Sequence, residues 1–430
     1  MSAAGDGDRS IDAIWRIESP KVIARVTRLV GDLGAAEDIA QDTFVAALKR
    51  WPRSGVPDNP GAWLMATARF LAIDLIRRRD TLAEKQEQLG PLPEAETVDF
   101  EAIVSDDIGD ELLGLMFMAC HPTLSPDARV TLTLRLLGGL TTAEIARAYL
   151  TTDVTIAQRI VRAKRTLAAA NVRFELPDRL ARTERVASVR EVIYLVFNEG
   201  YAATAGDDWM RAELCAEAMR LGRVLALLTP DAPETHGLVA LMELHASRAR
   251  ARTGPDGEPV LLLDQNRGLW DQLLIGRGLA ALQRAESLGG AHGPYALQAA
   301  IAACHARAAT PDDTDWGRIA ALYDALSQVA PSPVVEVNRA VALAMAFGPQ
   351  VGLDLADELT TVPALAEYHL LPSVRGDLLQ KLGRFDEAEA EFRRAAAMTS
   401  NARERTVLLN RAATCSYASR SEDHGGGPRG

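Results

Sequence analysis

Residues 125–167, SPDARVTLTLRLLGGLTTAEIARAYLTTDVTIAQRIVRAKRTL, contain the signals for two helices joined by a tight turn. Thr141-Thr142-Ala143-Glu144 is a capping box, in which a hydroxyl and a carboxylate three residues apart satisfy free backbone N–H groups at a helix start. This box predicts a short helix over 142–148. After the turn, Thr152 can cap a second helix from Asp153 to about Ala169. The stretch therefore predicts a helix-turn-helix.

The second of these helices has an apolar face and a polar face at helical spacing. The apolar face is predicted to point inward and comprises Ile156, Ile160, Ala163 and Leu167. The polar face comprises Thr155, Gln158, Arg162 and Arg165, with Arg147, Arg159 and Lys164 beside it. The major groove of DNA admits a helix, whose Gln and Arg side chains can bond base edges while other cations meet phosphates. This pattern favours a DNA-reading helix over the alternative, a solvated basic face.

A unit upstream, residues 11–79, is also predicted to be helical. Its segment 35–49, AAEDIAQDTFVAALK, places small and apolar residues on one helical stripe and polar residues on the other. The polar stripe carries Asp38, Gln41 and Asp42. Such an acidic surface suits a charged helical partner, although a solvated helix face has the same pattern. Trp51-Pro52 is predicted to end this helix.

A further helix is predicted to begin with Asn59 as N-cap and Pro60 as its first residue, and to run to about Arg79. Its predicted core stripe is Leu64, Ala68, Leu71 and Leu75. One outer stripe carries Trp63, Thr67, Phe70 and Arg78, and the neighbouring stripe carries Arg69 and Arg77. Aromatic faces can hold unstacked bases, and guanidinium groups can hold phosphates. The two stripes are candidates for binding opened DNA, although Trp63 alone fits a core position equally well.

The charge distribution separates these helical units. The 430 residues carry a net charge of −11, with 48% hydrophobic but only 5% aromatic residues. Residues 80–111 hold eleven acidic side chains and one basic side chain, so they predict an acidic linker in a disordered or extended path. Residues 112–176 contain the helix-turn-helix. Alanine- and leucine-rich usage without alternating β-branched runs predicts an all-α fold.

The segment 184–416 is predicted to be a series of helices separated by Gly, Pro and Asp clusters. Near its end, LLQKLGRFDEAEAEFRRAAAM has the small and large rhythm of a tetratricopeptide unit, at Gly383, Ala388, Phe392 and Ala395. We predict a tetratricopeptide-like (TPR-like) α-solenoid here. Residues 417–430 are predicted to form a disordered tail.

Several classes of protein are not favoured by this sequence. The four cysteines lie far apart, without metal-ligand or redox spacing. Cys120-His121, His236 and His245 belong to no recognisable metal or catalytic motif, so neither catalytic residue, metal nor cofactor is expected. The first residues lack the apolar core of a signal peptide, and no apolar run approaches 18 residues. A cytoplasmic location is the expectation.

The order of these segments resembles a known family. A helix carrying AEDIAQDTF, then NPGAWLMATARFLAIDLIRRR, an acidic linker and the helix-turn-helix together resemble extracytoplasmic-function sigma factors, over about residues 11–173. YLVFNEGYAATAGDD and DQNRGLWDQLLIGRGLAALQRA resemble the long helical extension of one subgroup of these factors. The implied architecture is sigma region 2, an acidic linker, sigma region 4 and a TPR-like extension.

The resemblance also implies partners and roles for the candidate residues. Asp38, Gln41 and Asp42 match the helix that docks on the clamp helices of core RNA polymerase. The flap of core polymerase is the expected partner of region 4. The −10 promoter DNA would be bound by Trp63, Arg69, Phe70, Arg77 and Arg78, together with the loop 53–61. The −35 DNA would be bound by Thr155, Gln158, Arg159, Arg162, Lys164 and Arg165. The linker would thread polymerase channels as a phosphate-backbone mimic or act as a plain tether, and the extension would bind a protein or peptide.

Two departures from the family pattern are visible. Phe70 stands where many members have Asn, so it can stack on a base but cannot hydrogen-bond a base edge. Ala157 stands where many members have a cation, which removes one expected DNA contact. One alternative is a polymerase-independent helix-turn-helix regulator with a helical sensing domain, which explains 112–416 but leaves 11–79 without a role. A helical-repeat scaffold or enzyme is a third alternative, for which the sequence supplies no chemistry.

Overall fold

The computed structural model describes residues 3–86, 108–149, 151–172, 174, 179–201, 211–254, 260–399 and 402–425. The regular secondary structure of these residues is helical, which confirms the all-α prediction. The chain forms two compact units, Met1–Leu195 and Val196–Gly430, and the boundary falls inside one helix. None of the helices described is long and apolar enough to cross a bilayer.

The first unit begins with three long helices. They are α1 (Ala3–Val30), α2 (Leu33–Ser54) and α3 (Pro60–Gln86), and each packs against the other two. The sequence pattern missed α1, whose buried residues include Ile11, Val22 and Val26. Trp15 of α1 stacks on Phe44 of α2 with ring centroids 4.9 Å apart.

Helix α2 is longer than the sequence predicts. Asp32 caps its start by accepting a hydrogen bond from Ala35 N at 2.6 Å. Pro52 lies inside the last turns of the helix and does not end it, since the helix continues until Gly55 N donates to Trp51 O at 2.9 Å. The helix ends at Gly55, whose φ of 81° suits glycine.

The segment predicted as an acidic linker is helical at both of its ends. Helix α3 runs beyond the predicted end at Arg79 to Gln86, and the next helix begins at Ile108. The residues Leu82, Ala83, Glu84 and Lys85 are strong helix formers, so a helix already nucleated extends through them. Residues 87–107 lie outside the described residues.

The rest of the first unit contains the helix-turn-helix and its supports. Its helices are α4 (Ile108–Ala119), α5 (Pro126–Leu136), α6 (Thr142–Ala148), α7 (Asp153–Ala169) and α8 (Arg179–Tyr201). Helices α5 and α6 both pack against α7, and α1 packs against α4 and α5. The upstream three-helix group and the helix-turn-helix group are therefore in direct contact.

The second unit is a succession of helices, most of which pack on the next one along the chain. They are α9 (Ala212–Leu228), α10 (Pro233–Ala246), α11 (Gln272–Ser287), α12 (Pro294–Arg307), α13 (Trp316–Val329), α14 (Pro333–Phe347), α15 (Pro349–Leu359), α16 (Leu370–Lys381), α17 (Phe385–Met398) and α18 (Ala402–Gly425). Short 3₁₀ turns lie between several of them. This arrangement is the α-solenoid that the sequence predicts.

The tetratricopeptide-like rhythm at α16 and α17 has a direct structural cause. Ala388, Phe392 and Ala395 are buried on one face of α17. A Cβ on Gly376 of α16 would lie 2.8 Å from the Phe392 ring, so this close approach requires glycine. Gly383 turns the chain between the two helices with a φ of 76°.

The predicted disordered tail is wrong over 417–425, where α18 continues to Gly425. Pro428 is the first proline after the start of α18, so the helix can propagate once its earlier turns pack on α17. The hydroxyl of Ser419 also donates to Asp386 Oδ1 at 2.7 Å. Residues 426–430 lie outside the described residues.

Candidate nucleic-acid interface

The helix-turn-helix is held by the caps that its sequence predicts. Thr141 N donates to Glu144 Oε2 at 2.7 Å, and Glu144 N donates to Thr141 Oγ1 at 3.1 Å, which completes the capping box. Burial raises the pKa of Glu144, but the bonds from Thr141 and the nearby Arg16 guanidinium outweigh it and hold the pKa below its usual range. At the start of α7, Thr155 N donates to Thr152 Oγ1 at 3.2 Å.

Helix α7 presents the predicted polar face to solvent. The inward residues Ile156, Ile160, Ala163 and Leu167 are all buried. The outward residues Thr155, Gln158, Arg162 and Arg165 are all exposed. A groove of about 460 Å³ runs between α7 and the start of α5, lined in part by Ser125, Gln158 and Arg162. The structure thus brings the four predicted base-reading residues onto one accessible surface.

The two predicted phosphate-binding cations of α7 are already engaged. Arg159 Nη2 lies 3.3 Å from the exposed carboxylate of Asp127, a pair that solvent screens. Lys164 Nζ lies 2.6 Å from Oε2 of the buried Glu37 on α2. Lys164 can therefore contact a phosphate only after its pair with Glu37 opens. The sequence pattern of α7 does not indicate this pair.

Helix α3 divides its predicted DNA face between exposed and packed residues. Phe70 is 72% exposed and can stack on a base. Trp63 is only half-buried and packs edge-on against the buried Trp51, with ring centroids 5.3 Å apart. Arg77 and Arg78 are exposed, and Arg78 pairs with Asp74 at 2.6 Å. Trp63 therefore packs against the core of the unit and remains partly accessible.

The three residues predicted to dock on polymerase all lie on the surface of α2. Asp38, Gln41 and Asp42 are exposed and are followed one turn later by the exposed Val45. The opposite stripe of α2 is buried and includes Ala36, Ala40, Thr43 and Ala47. One helix thus supplies both an acidic outer face and the packing face of the first unit.

Sequence reasoning missed the ion pairs that join the upstream helices to the helix-turn-helix group. Glu37 accepts from Arg135 Nε of α5 at 2.8 Å in addition to pairing with Lys164 of α7. Burial alone would raise the pKa of Glu37, but the two cations outweigh it and hold the pKa below its usual range. We call Glu37, Arg135 and Lys164 the interregion clasp.

A second set of pairs supports the same contact. Glu111 at the start of α4 is buried, and its carboxylate lies 2.8 Å from Arg25 Nε and 3.1 Å from Arg28 Nη1, both on α1. Arg16 of α1 also pairs with the capping-box Glu144. The helix-turn-helix group is therefore held on the upstream group at three places.

The first part of α8 is a further support that sequence reasoning missed. Ser188 Oγ donates to the carbonyl of Cys120 at 2.8 Å, and Arg129 Nη1 donates to Ser188 Oγ at 3.1 Å. Arg185 Nη2 lies 2.8 Å from His121 Nε2. This part of α8 therefore belongs structurally to the helix-turn-helix group, at the junction of α4 and α5.

The Cys120-His121 pair has a structural role. Cys120 is buried, which raises the pKa of its thiol to about 12, and its sulfur lies 3.3 Å from Thr133 Oγ1. His121 is bonded to Arg185. The geometry gives this pair packing and hydrogen-bonding roles, with no reactive thiolate.

Comparisons with known proteins match three parts of the chain. Residues 14–81 match the model of sigma-70 region 2, residues 114–167 match that of sigma-70 region 4, and residues 185–286 match a family of unknown function. An uncharacterized protein of Rhizobium meliloti is 43% identical over 394 residues, which are 90% of this chain and 92% of that protein.

A relative with a named function matches a shorter stretch of the chain. The probable ECF RNA polymerase sigma factor SigI of Mycobacterium tuberculosis is 27% identical over 158 residues, which are 36% of this chain and 54% of that protein. Among solved structures, yeast Tom70 aligns at a TM-score of 0.37 and 10% identity, over 97% of this chain and 87% of that chain. A likeness at that level carries no argument.

Proposed function

The chain belongs to the extracytoplasmic-function family of RNA polymerase sigma factors, in the subgroup with a long C-terminal helical extension, and on that premise we propose that it directs core polymerase to promoters by −35 recognition and −10 melting. The observation that carries the proposal is the exposed row Thr155, Gln158, Arg162 and Arg165 on a capped recognition helix, downstream of a region 2 match. No catalytic activity is indicated by this family, whose members act with polymerase.

In this proposal, each step of initiation is assigned to one surface of the first unit. The exposed Asp38, Gln41 and Asp42 on α2 would dock on the clamp helices of core polymerase. The polar face of α7 would read the −35 element in the major groove. On α3, Phe70 would stack on an unpaired −10 base while Arg77 and Arg78 meet the phosphate backbone. Proteins of this family work inside the compartment that holds polymerase and promoter DNA.

Polymerase dependence is the first expected result. The purified chain alone should bind promoter DNA weakly, because a net charge of −11 repels phosphates outside two small surfaces. With core polymerase added, specific transcripts should start from a cognate promoter. In vitro transcription beside a gel-shift assay of the free chain measures both properties. Tight, sequence-specific DNA binding without polymerase would instead support the alternative, an independent helix-turn-helix regulator.

Base preference at −35 is the second expected result. Arg162→Ala and Gln158→Ala should each change which −35 sequence is preferred, since a good bidentate base contact discriminates by about 1–3 kcal/mol. Transcription from a set of promoters with single −35 substitutions, using the holoenzyme, measures this preference.

Arg159→Ala is the matched comparison for these variants. Arg159 lies on the same helix and pairs with the exposed Asp127, so its loss should weaken all promoters about equally. Lys164→Ala should also act on all sequences equally, although it removes the pair with Glu37 as well. An identical response of every −35 variant to all four substitutions would show that the recognition face is assigned wrongly.

A further inference from the structure

The second unit contains a group of basic and aromatic side chains that promoter recognition does not use. Trp270 is buried, and two guanidinium groups lie over its ring, with carbon-to-centroid distances of 5.8 Å for Arg248 and 4.9 Å for Arg267. His305, buried at the end of α12, offers its backbone carbonyl to Arg267. We call Arg248, Arg267, Trp270 and His305 the arginine cluster.

Within the described residues, the hydrogen bonds of the two arginines in the arginine cluster go to neutral groups. Arg248 Nη2 donates to Tyr201 Oη at 2.8 Å and lies 3.0 Å from His245 Nδ1. Arg267 donates to Ala308 O at 2.7 Å and to Thr314 Oγ1 at 3.1 Å. In the part of the chain that the structure describes, no carboxylate lies within ion-pair distance of either guanidinium group.

One carboxylate does influence Arg267 at longer range. Asp313 attracts it, but the Asp313 carboxylate already accepts from Thr310 N at 3.0 Å and from Thr310 Oγ1 at 2.8 Å. Burial and the neighbouring Arg248 both lower the pKa of Arg267, which is the direction expected where positive charge is under-compensated. An added negative charge would therefore relieve this repulsion.

The arginine cluster also holds polar atoms whose hydrogen bonds are unmet. Among the residues that the structure describes, Trp270 Nε1, Arg267 Nε and His305 Nδ1 are buried without a hydrogen-bond partner. The first two are N–H donors, and His305 Nδ1 is a donor in one of its tautomers. Arg248 is half-buried, and its Nη2 is the atom engaged with Tyr201 and His245. Buried donors without an acceptor are rare and call for an explanation.

We propose that the arginine cluster binds the oxyanion group, phosphate or carboxylate, of a small diffusible solute. An oxyanion supplies only acceptors, which is what the unmet donors require, and a guanidinium fork matches the geometry of both groups. Through its hydrogen bonds, the arginine cluster connects Tyr201 at the end of α8 with the turns after α10 and α12. A bound anion would therefore stabilise the packing of these separate helices of the extension. This inference concerns the extension alone and does not depend on promoter recognition.

The experiment is calorimetric titration of the full chain with inorganic phosphate and, separately, with succinate, against sodium chloride at matched ionic strength. We expect saturable binding of at least one of the two, with a rise in the thermal unfolding temperature. Arg248→Gln should weaken that binding about tenfold or more, since a hydrogen bond to a charged group contributes about 1.5–3 kcal/mol. Arg250→Gln is the matched control, because Arg250 is exposed two residues along the same turn.

Trp270→Phe provides a second variant that keeps the aromatic ring and removes one unmet donor. It should also weaken anion binding. If circular dichroism shows that Arg248→Gln does not fold, Trp270→Phe alone tests the proposal. Saturation by phosphate alone assigns a phosphate-bearing solute, and saturation by succinate alone assigns a carboxylate. The proposal is overturned if neither anion differs from chloride, or if binding survives unchanged in both variants. The assay contains no polymerase or promoter, so its failure leaves the proposed function standing.

Discussion

Glu37→Gln should loosen the contact between the two halves of the first unit and increase the DNA affinity of the free chain. The substitution keeps the shape of the side chain but removes the charge that Arg135 and Lys164 share at 2.8 and 2.6 Å. Loss of one partner from a buried ion pair typically costs 3–5 kcal/mol. We expect Glu37→Gln to lower the free energy of unfolding by about 3 kcal/mol, the lower end of this range, because both cations keep partial contact with water.

The proposed function gives this contact a consequence. A separation of about 25 base pairs between −35 and −10 sites corresponds to roughly 85 Å of duplex. A folded unit of 195 residues has a radius of gyration of only about 16 Å. Region 2 and region 4 cannot engage both sites while Glu37 holds Lys164 of the recognition helix. The interregion clasp must therefore open when a promoter is bound by the holoenzyme.

The measurements for Glu37→Gln are urea unfolding and the salt dependence of DNA binding by the free chain. Release of Lys164 adds about one phosphate contact, so the slope of log K against log salt should steepen by about 1. Asp38→Asn is the matched control, because it removes one negative charge from the next, exposed residue of α2. If both variants change stability and salt slope equally, the effect is one of net charge and the interregion clasp has no special role.

The effect of Glu37→Gln on stability should change with pH in a defined direction. Burial raises the pKa of Glu37 but the paired cations lower it further, so the folded value lies below the unfolded one. The stabilisation by the ionised form is therefore present above about pH 4.5 and is lost as pH falls through the folded pKa. The stability difference between wild type and Glu37→Gln should be largest near pH 7 and should narrow as the pH falls below about 4.5 and through the lowered pKa of Glu37. A difference that grows in acid would contradict the assigned cause.

The sequence predicts those parts of the fold that depend on local signals. The capping box at Thr141, the Thr152 cap and the Asn59 cap all form as predicted, because each bond joins residues two to four positions apart. Alternation of buried and exposed residues along α7 also follows directly from helical period. The polar face of the recognition helix could thus be placed without any knowledge of its neighbours.

The missed features depend on contacts between distant segments. Glu37 looks like one more acid beside Asp38 in the sequence, and only the approach of α5 and α7 distinguishes the two. The neighbours of Lys164 on α7 predict a phosphate contact, and nothing local in the sequence indicates that Lys164 also pairs with Glu37 of α2. The position of the helix-turn-helix against α1 and α2 is a tertiary property, which no local pattern encodes.

Removal of the extension should reduce transcription from a cognate promoter at least tenfold, and the position of the cut should decide why. A chain ending after Arg182 lacks Arg185 and Ser188, whose bonds to His121 and Cys120 hold α8 on α4 and α5. It also lacks Val189 and Val192, which are buried. This shortened chain should lose stability in region 4 itself, so its inactivity would say nothing about regulation.

A chain ending after Tyr201 keeps all of α8 and is the informative variant. It retains the contacts of Arg185 and Ser188, and circular dichroism and thermal unfolding should show the first unit folded. The extension begins in the same helix that supports the helix-turn-helix, so we expect it to help hold region 4 in the active arrangement. In the presence of core polymerase, transcription initiation by this variant should therefore be at least tenfold lower than that by the full chain.

Two other results are informative in opposite ways. Constitutive transcription by the chain ending after Tyr201 would mean that the extension masks the DNA-binding regions, and Glu37→Gln in that shortened chain would then be expected to raise activity further. Unchanged transcription and an unchanged response to the inducing condition would separate the extension from control of initiation altogether. We expect the activating outcome because Ser188 and Arg185 bond to Cys120 and His121, between α4 and α5. Helix α5 in turn packs against the recognition helix α7.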